Sequence, residues 1–282
     1  MSTIVFLGGG RITSAMLAGL RLSRTRHRLL VHDRNPGKLR DLKRRYTVPV
    51  ELDLNRAVKQ ADILIVAVRP SSVRELLQDV GHAIGKKNRA LLGRKTSGRK
   101  TPARKTLAIS LAAGVPLRVL REQIGPPVLW ARAMPSPLCR SGRGLTAVTF
   151  PRTLPPAARK RVHDLFATFG QVVEIPESKF DAFTVTFSCS HGYHALATLA
   201  EAAQEAGLDR NTALLASAHA LADGIIVWRE GKHSLQSLLE EAATPGGIAA
   251  ATAAKMDAAG YRRAVRQGVA AGLRRARANA GK

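Results

Sequence analysis

Three glycines directly after an apolar run are the first residues in the chain with a chemistry to offer. The segment "TIVFLGGGRITSAMLAGL", residues 3–20, sets Gly8, Gly9 and Gly10 between Ile4-Val5-Phe6-Leu7 and a stretch whose Ile12, Ala15, Met16 and Leu20 share one helical face. In a strand–turn–helix unit Gly8 makes the turn and Gly10 lets a pyrophosphate approach the backbone. The first helical residues, Arg11 and Ile12, then present free N–H groups and the positive end of the helix dipole. The same glycines also suit a plain tight turn, and Thr13 stands where Gly or Ala usually permits close helix–strand packing.

A second chemical segment is "RHRLLVHDRNPGKLRDL", whose strand, Leu29 to His32, runs into Asp33-Arg34-Asn35-Pro36. Residues at that point contact an adenine ribose: Asp33 could accept its hydroxyls, whereas Arg34 could pair with a 2′-phosphate. The segment favours NADPH with NADH tolerated; a solvated charged turn is the alternative. Cys139 and Cys189 form no disulfide framework and lack metal-ligand spacing, so neither a metal nor a thiol nucleophile is expected.

The elements that must position these residues alternate. A helix to about Gln60, a strand Ile63 to Val68 and a helix after Arg69-Pro70 follow, then "TLAISLAAGVPLRVLREQIG" repeats strand, turn and helix. "VLWARAMPSP", "LTAVTF" and "QVVEIP" read as further strands, the last at an edge, with "PRTLPPAARKRVHDLFATFG" a helix between. This alternation predicts an α/β fold with a parallel, Rossmann-type sheet over residues 1–175. Residues 176–282 read as helices alone, with "KFDAFTVTFSCSHGYHALATLAEAAQEAGL" Ala-rich at helical spacing and a cap at Asp209 opening the next helix. Their small residues suit tight packing, either against a twin in a dimer or within a self-contained bundle.

Composition bounds the partners. The 282 residues hold 45 Lys plus Arg against 20 Asp plus Glu, a net +25. Nine of the basic residues lie in "KKNRALLGRKTSGRKTPARK", 86–105, which reads as a surface insertion. No aromatic is interleaved there for base stacking, so a nucleic-acid role is not expected. No apolar run reaches the roughly 20 residues of a membrane span, and the start lacks a signal-peptide pattern, which predicts a cytoplasmic protein.

The order of Gly8-Gly9-Gly10, "ADILIVAVRP", "ISLAAGVPL", "ARAMPSP", the Asp-Ala-x-Thr of "FDAFTVT" and "ATPGGIAA" resembles pyrroline-5-carboxylate reductase along nearly the whole chain. The resemblance implies a Rossmann-type domain followed by an all-α dimerisation domain, and NAD(P)H-dependent reduction of a cyclic imine carboxylate to L-proline. It implies cofactor contacts at Gly8, Gly10, Arg11, Ile12, Arg34, Asn35 and Ala67-Val68-Arg69-Pro70. Substrate contacts fall at Met134, Pro135, Ser136, Ser188, Gly246 and Gly247; on their own chemistry, Thr244, Ser190 and His191 are the candidate catalytic residues. Thr244-Pro245-Gly246-Gly247 opens a helix whose N–H groups suit a carboxylate, and by resemblance it faces the partner's nicotinamide site.

The departures cluster at that site. Met134-Pro135-Ser136-Pro137-Leu138 replaces the family's Met-Pro-Asn-Thr-Pro, and Ser188-Cys189-Ser190-His191-Gly192-Tyr193-His194 keeps only both serines of Ser-Gly-Ser-Gly-Pro-Ala-Tyr. Ile248 and Ala249 stand where a hydroxyl assists the imine proton, and Leu54, beside Asn55, where an Asn meets the cofactor. These changes fit either altered chemistry or lost catalysis. Thr244, or His191 with His194 one helical turn away, could replace the missing proton donor.

Overall fold

Short runs of β-branched and aliphatic residues, apolar on both faces, build a sheet that must be covered by helices on both sides. The computed structural model describes the backbone of residues 1–92 and 105–281. In chain order the elements are β1 (Thr3–Leu7), α1 (Arg11–Leu22), β2 (Arg28–His32), α2 (Pro36–Tyr46), β3 (Val50–Glu51), α3 (Leu54–Gln60), β4 (Ile63–Val66), α4 (Val73–Leu92), β5 (Thr106–Ser110), α5 (Leu117–Gln123), β6 (Val128–Pro135), β7 (Gly144–Thr149), α6 (Pro156–Ala167), β8 (Gly170–Glu174), α7 (Glu177–Thr186), α8 (Ser190–Glu205), α9 (Arg210–Glu230), α10 (Leu235–Ala242), α11 (Ile248–Ala258) and α12 (Tyr261–Ala280).

The eight strands lie in the order β3-β2-β1-β4-β5-β6-β7-β8, the doubly wound plan with β1 at the point where the winding reverses. Alternation along β1 sends Ile4 and Phe6 into a core shared with Met16, Leu17 and Leu20 of α1, and Val5 and Leu7 into one shared with Val58, Leu77 and Val80 of α3 and α4. All pairings are parallel except β6 with β7, where Ala133 stands opposite Val148. The wholly parallel expectation fails here because a parallel crossover needs a dozen or more residues. Only a short turn over Pro137–Ser141, left through Gly142 at φ 71°, joins the two strands.

The basic stretch expected as an insertion from 86 to 105 begins as regular structure: α4 continues through Leu92, and residues 93–104 lie outside the described residues. Lys, Arg, Ala and Leu are good helix formers, which suits continued helix here.

The chain divides into two compact units, Met1–Val185 with Leu273–Lys282, and Thr186–Gly272. The first extends beyond the end of β8 because α7 is held to the sheet. Arg132 of β6, 1% exposed, donates to Glu177 (2.8 Å) and Asp181 (3.0 Å) and stacks on the ring of Phe180 at 4.4 Å. At its other end the unit takes in the close of α12, where Ala276 is buried and Asn279 donates to the Ala113 carbonyl at 3.2 Å. The second unit is helical. Its α8 and α9 bury Ala200, Ala213 and Ser217, while Leu215, Ile225, Ile226, Val227 and Trp228 of α9 and Leu235 and Leu239 of α10 remain exposed. The stretch of helical spacing across 179–208 forms two helices, parted at Ser188, whose hydroxyl meets that of Ser190 at 2.7 Å and accepts its backbone N–H at 3.4 Å. Such local bonds offer the backbone an alternative to the helix.

Candidate functional site

Gly8 turns the chain sharply as β1 ends. Its φ is +111°, its N–H donates to the His32 carbonyl at 2.8 Å, and a Cβ there would lie 2.6 Å from the Ala67 carbonyl oxygen. Only glycine fits that conformation and that space. Gly9 donates its N–H to Asp33 Oδ2 at 2.7 Å. Gly10 differs: a Cβ there would meet nothing within 4 Å among the described residues. Its backbone serves as N-cap of α1, with no side chain closing the helix end and no acidic residue in the first turn. The leading N–H groups and the dipole of this twelve-residue helix are therefore left without a side-chain cap among the described residues. Thr13, unusual for such a loop, is fully buried and donates its hydroxyl to the Gly8 carbonyl, so it pins the turn.

The loop opens on a cleft of about 1200 Å³ within the first unit. Of the expected cofactor residues, Gly8, Gly10, Arg11, Ile12, Arg34, Ala67, Val68 and Arg69 line it; Asn35 and Pro70 do not. Asn35 instead caps α2, its Oδ1 accepting the N–H groups of Gly37 (2.9 Å) and Lys38 (3.2 Å), and Pro70 opens the turn leading into α4. Leu54 lines the cleft, while the exposed Asn55 beside it does not. The cleft also takes in Ser14 of α1, Lys38 of α2 and Glu75 and Asp79 of α4, unread in the sequence because separate βα units bring them together. Basic Arg11, Arg34, Lys38 and Arg69 are balanced by Asp33, Asp41, Glu75 and Asp79. Asp33, 12% exposed, accepts from Gly9 and from Asn35 N–H (2.8 Å), with Lys38 Nζ 3.7 Å away. Arg34 pairs with Glu75 at 2.8 Å.

Met134 and Pro135 close β6, and Ser136 begins the turn to β7. The Ser136 N–H donates to the Leu145 carbonyl at 3.1 Å, while its buried Oγ has no hydrogen-bond partner among the described residues. Buried orphans of this kind are uncommon and mark a position where a further group could bind. The remaining expected residues belong to the second unit and are mostly exposed. Ser188 and Ser190 share their hydroxyl contact at the start of α8, and His191 N–H donates to the Ser188 carbonyl at 3.2 Å. Thr244 begins a turn closed by Gly247 N–H on its carbonyl at 2.9 Å, with Gly246 at φ +78°. Gly247 then caps α11 without a side chain, leaving this helix N-terminus uncapped as well. Cys139 is buried, which pushes its thiol up to about 11; Cys189 is exposed.

Residues 3–90 match the family described as "NADP oxidoreductase coenzyme F420-dependent", and residues 177–279 match "Pyrroline-5-carboxylate reductase dimerisation". Relatives run along both units. The pyrroline-5-carboxylate reductase of Corynebacterium melassecola is 26% identical over 93% of this chain and 93% of its own length, and that of Mycobacterium tuberculosis is 29% identical over 94% and 92%. The chain is thus similar to pyrroline-5-carboxylate reductases along nearly its whole length. Among solved structures, the NADP-bound pyrroline carboxylate reductase of Plasmodium falciparum superposes with a TM-score of 0.82 over 99% of this chain and 98% of its own, at 19% identity, which establishes the shared fold. A Rossmann-type sheet unit followed by helices is thus the family's architecture in this chain.

Proposed function

We propose that this chain reduces 1-pyrroline-5-carboxylate to L-proline with NADPH, and with NADH more weakly. The observation that carries the reading is the uncapped α1 N-terminus, behind Gly8 and Gly10, facing a cleft of dinucleotide size in a chain similar to these reductases over both units. The residues present fit the cofactor: Gly10 leaves open the space a Cβ would fill, and the α1 N-terminus carries no side-chain cap.

In this reading Gly8, Gly10 and the N–H groups of Arg11 and Ile12 hold the pyrophosphate, and Arg34 with Lys38 receives the 2′-phosphate. Ala67 to Pro70 lie along the nicotinamide ribose. NADPH supplies the hydride. The protein must then bind the imine's carboxylate and supply the ring nitrogen with a proton, since protonation makes the C=N carbon electrophilic. The N–H groups at the start of α11, exposed by Gly246 and Gly247, suit the carboxylate. Met134, Pro135 and Ser136 are the substrate contacts expected in the first unit, and Ser188 one expected in the second. Thr244, Ser190 and His191, all in the second unit, are its proton-bearing candidates.

The exposed apolar residues of α9 and α10, together with the match to the family's dimerisation region, support assembly as a homodimer. Two cysteines free of any disulfide support a reducing, cytoplasmic setting. A second reading, an NADPH-binding protein without turnover, draws on Ile248, 90% exposed, where the family's hydroxyl is expected. Incubation with NADPH and pyrroline-5-carboxylate separates the two: L-proline detected by mass spectrometry supports the reductase. NADPH binding with no proline supports the second.

A further inference from the structure

The mouth of the cleft holds a feature that the reduction itself does not need. Arg34, in the turn after β2, and Glu75, in the first turn of α4, come from separate βα units and meet across the cleft they both line, Nη1 to Oε1 at 2.8 Å. Both are largely in water, 74% and 63% exposed, so the pair is easily exchanged for a stronger partner. The other acid at this end is already engaged, because Asp33 accepts two backbone N–H groups. Arg34 therefore meets a ribose substituent already neutralised, and Glu75 is the group that neutralises it.

We infer that Glu75 sets the coenzyme preference of this protein by competing with a 2′-phosphate for Arg34. The inference rests on the reading of the cleft as a dinucleotide site. A 2′-phosphate carries more charge than a carboxylate and three acceptor oxygens, so it displaces Glu75 from the guanidinium. The displaced carboxylate stays on the same rim and repels it. A dinucleotide with a plain 2′-hydroxyl has no charge to place there and leaves the pair intact. Glu75 thus weakens NADPH while leaving NADH untouched, and narrows the discrimination Arg34 would otherwise give. Lys38 pairs with Asp33 at 3.7 Å rather than with Glu75, so it leaves the Arg34–Glu75 pair undisturbed.

Calorimetric titration of NADPH and NADH into the full chain, with Glu75→Gln, Arg34→Gln and the double variant, tests this. Glu75→Gln should tighten NADPH about two- to fivefold, the scale of an exposed ion pair, and leave NADH unchanged. The gain should shrink with added salt and vanish in the Arg34→Gln background. An unchanged NADPH-to-NADH affinity ratio, or weaker NADH binding by Glu75→Gln, would overturn the inference while the cleft assignment stands. Binding of neither dinucleotide by any of the proteins would overturn both.

Discussion

Replacing Gly8 and Gly10 in turn by alanine separates a glycine that the fold requires from one that a ligand requires. At Gly8 the substitution places a side chain at φ +111°, a conformation that costs about 1–3 kcal/mol. Its methyl would lie 2.6 Å from the Ala67 carbonyl oxygen, an overlap worth a further ~1–3 kcal/mol. The total, about 2–6 kcal/mol, is a large share of a domain's typical stability of about 5–15 kcal/mol. At Gly10 the backbone, φ −82° and ψ −173°, is open to any residue, and the methyl meets nothing within 4 Å. Alanine is a poorer N-cap by up to about 1 kcal/mol. A stiffer unfolded chain returns ~0.4–1 kcal/mol, so the two largely offset and stability should move by less than about 1 kcal/mol. That methyl, however, would stand between the α1 N–H groups and a pyrophosphate, and NADPH affinity should fall about tenfold or more, or ~1.4 kcal/mol. Urea unfolding measures the first quantity and calorimetry the second. Wild-type NADPH affinity in Gly10→Ala, or wild-type stability in Gly8→Ala, would refute the reasoning.

Further expectations concern parts of the molecule away from the loop. Arg132→Met leaves Glu177 and Asp181 facing each other without their cation; because both are about one-third exposed, the loss should fall near 2–4 kcal/mol, below that of a fully buried pair, in urea unfolding. Cys139 should resist iodoacetamide at neutral pH until the protein is denatured, since burial raises its thiol to about 11; alkylation of the native protein at that residue, read by mass spectrometry, would contradict this. Hydrogen bonds from Thr212, joined by the Asn211 N–H, hold Asp209 below its ordinary carboxylate value. Its capping contribution is therefore full above about pH 4 and lost as pH falls through the lowered value; the stability gap to Asp209→Ala should close in acid. Ile225→Glu with Trp228→Glu, at exposed apolar positions of α9, should convert a dimer to monomers in light-scattering chromatography.

Local pattern was legible where one element determined it. The run Ile4 to Leu7 is a strand because every side chain is apolar and buried, and Gly8 lies where the chain must turn under Ala67. Asp209 could be read as a cap because its side chain accepts from the two residues that follow it closely. Asn35 carried the same signal, an Asn before Pro at the first helical position, and capping describes its observed side-chain bonds completely. The antiparallel β6–β7 pair was hidden because strand direction depends on the length of the connection, which a strand-by-strand reading passes over. Glu75 and Lys38 were hidden for a related reason: the sheet brings α4 and α2 to one cleft, and no spacing along the chain records that approach. The departures at Ser136, Ile248 and Ala249 were visible as residue types, yet the buried, unpartnered state of Ser136 Oγ belongs only to the folded chain.

Hydride transfer from a nicotinamide to the imine carbon is the central claim, and isotopic labelling tests it most directly. The protein is mixed with pyrroline-5-carboxylate and NADPH carrying deuterium at the transferable position of the nicotinamide, and the product is analysed by mass spectrometry and NMR. The account predicts L-proline with one deuterium at the ring carbon next to nitrogen, formed in step with NADPH loss and suppressed in Gly10→Ala. Unlabelled proline, or no proline from protein that binds NADPH, would contradict it.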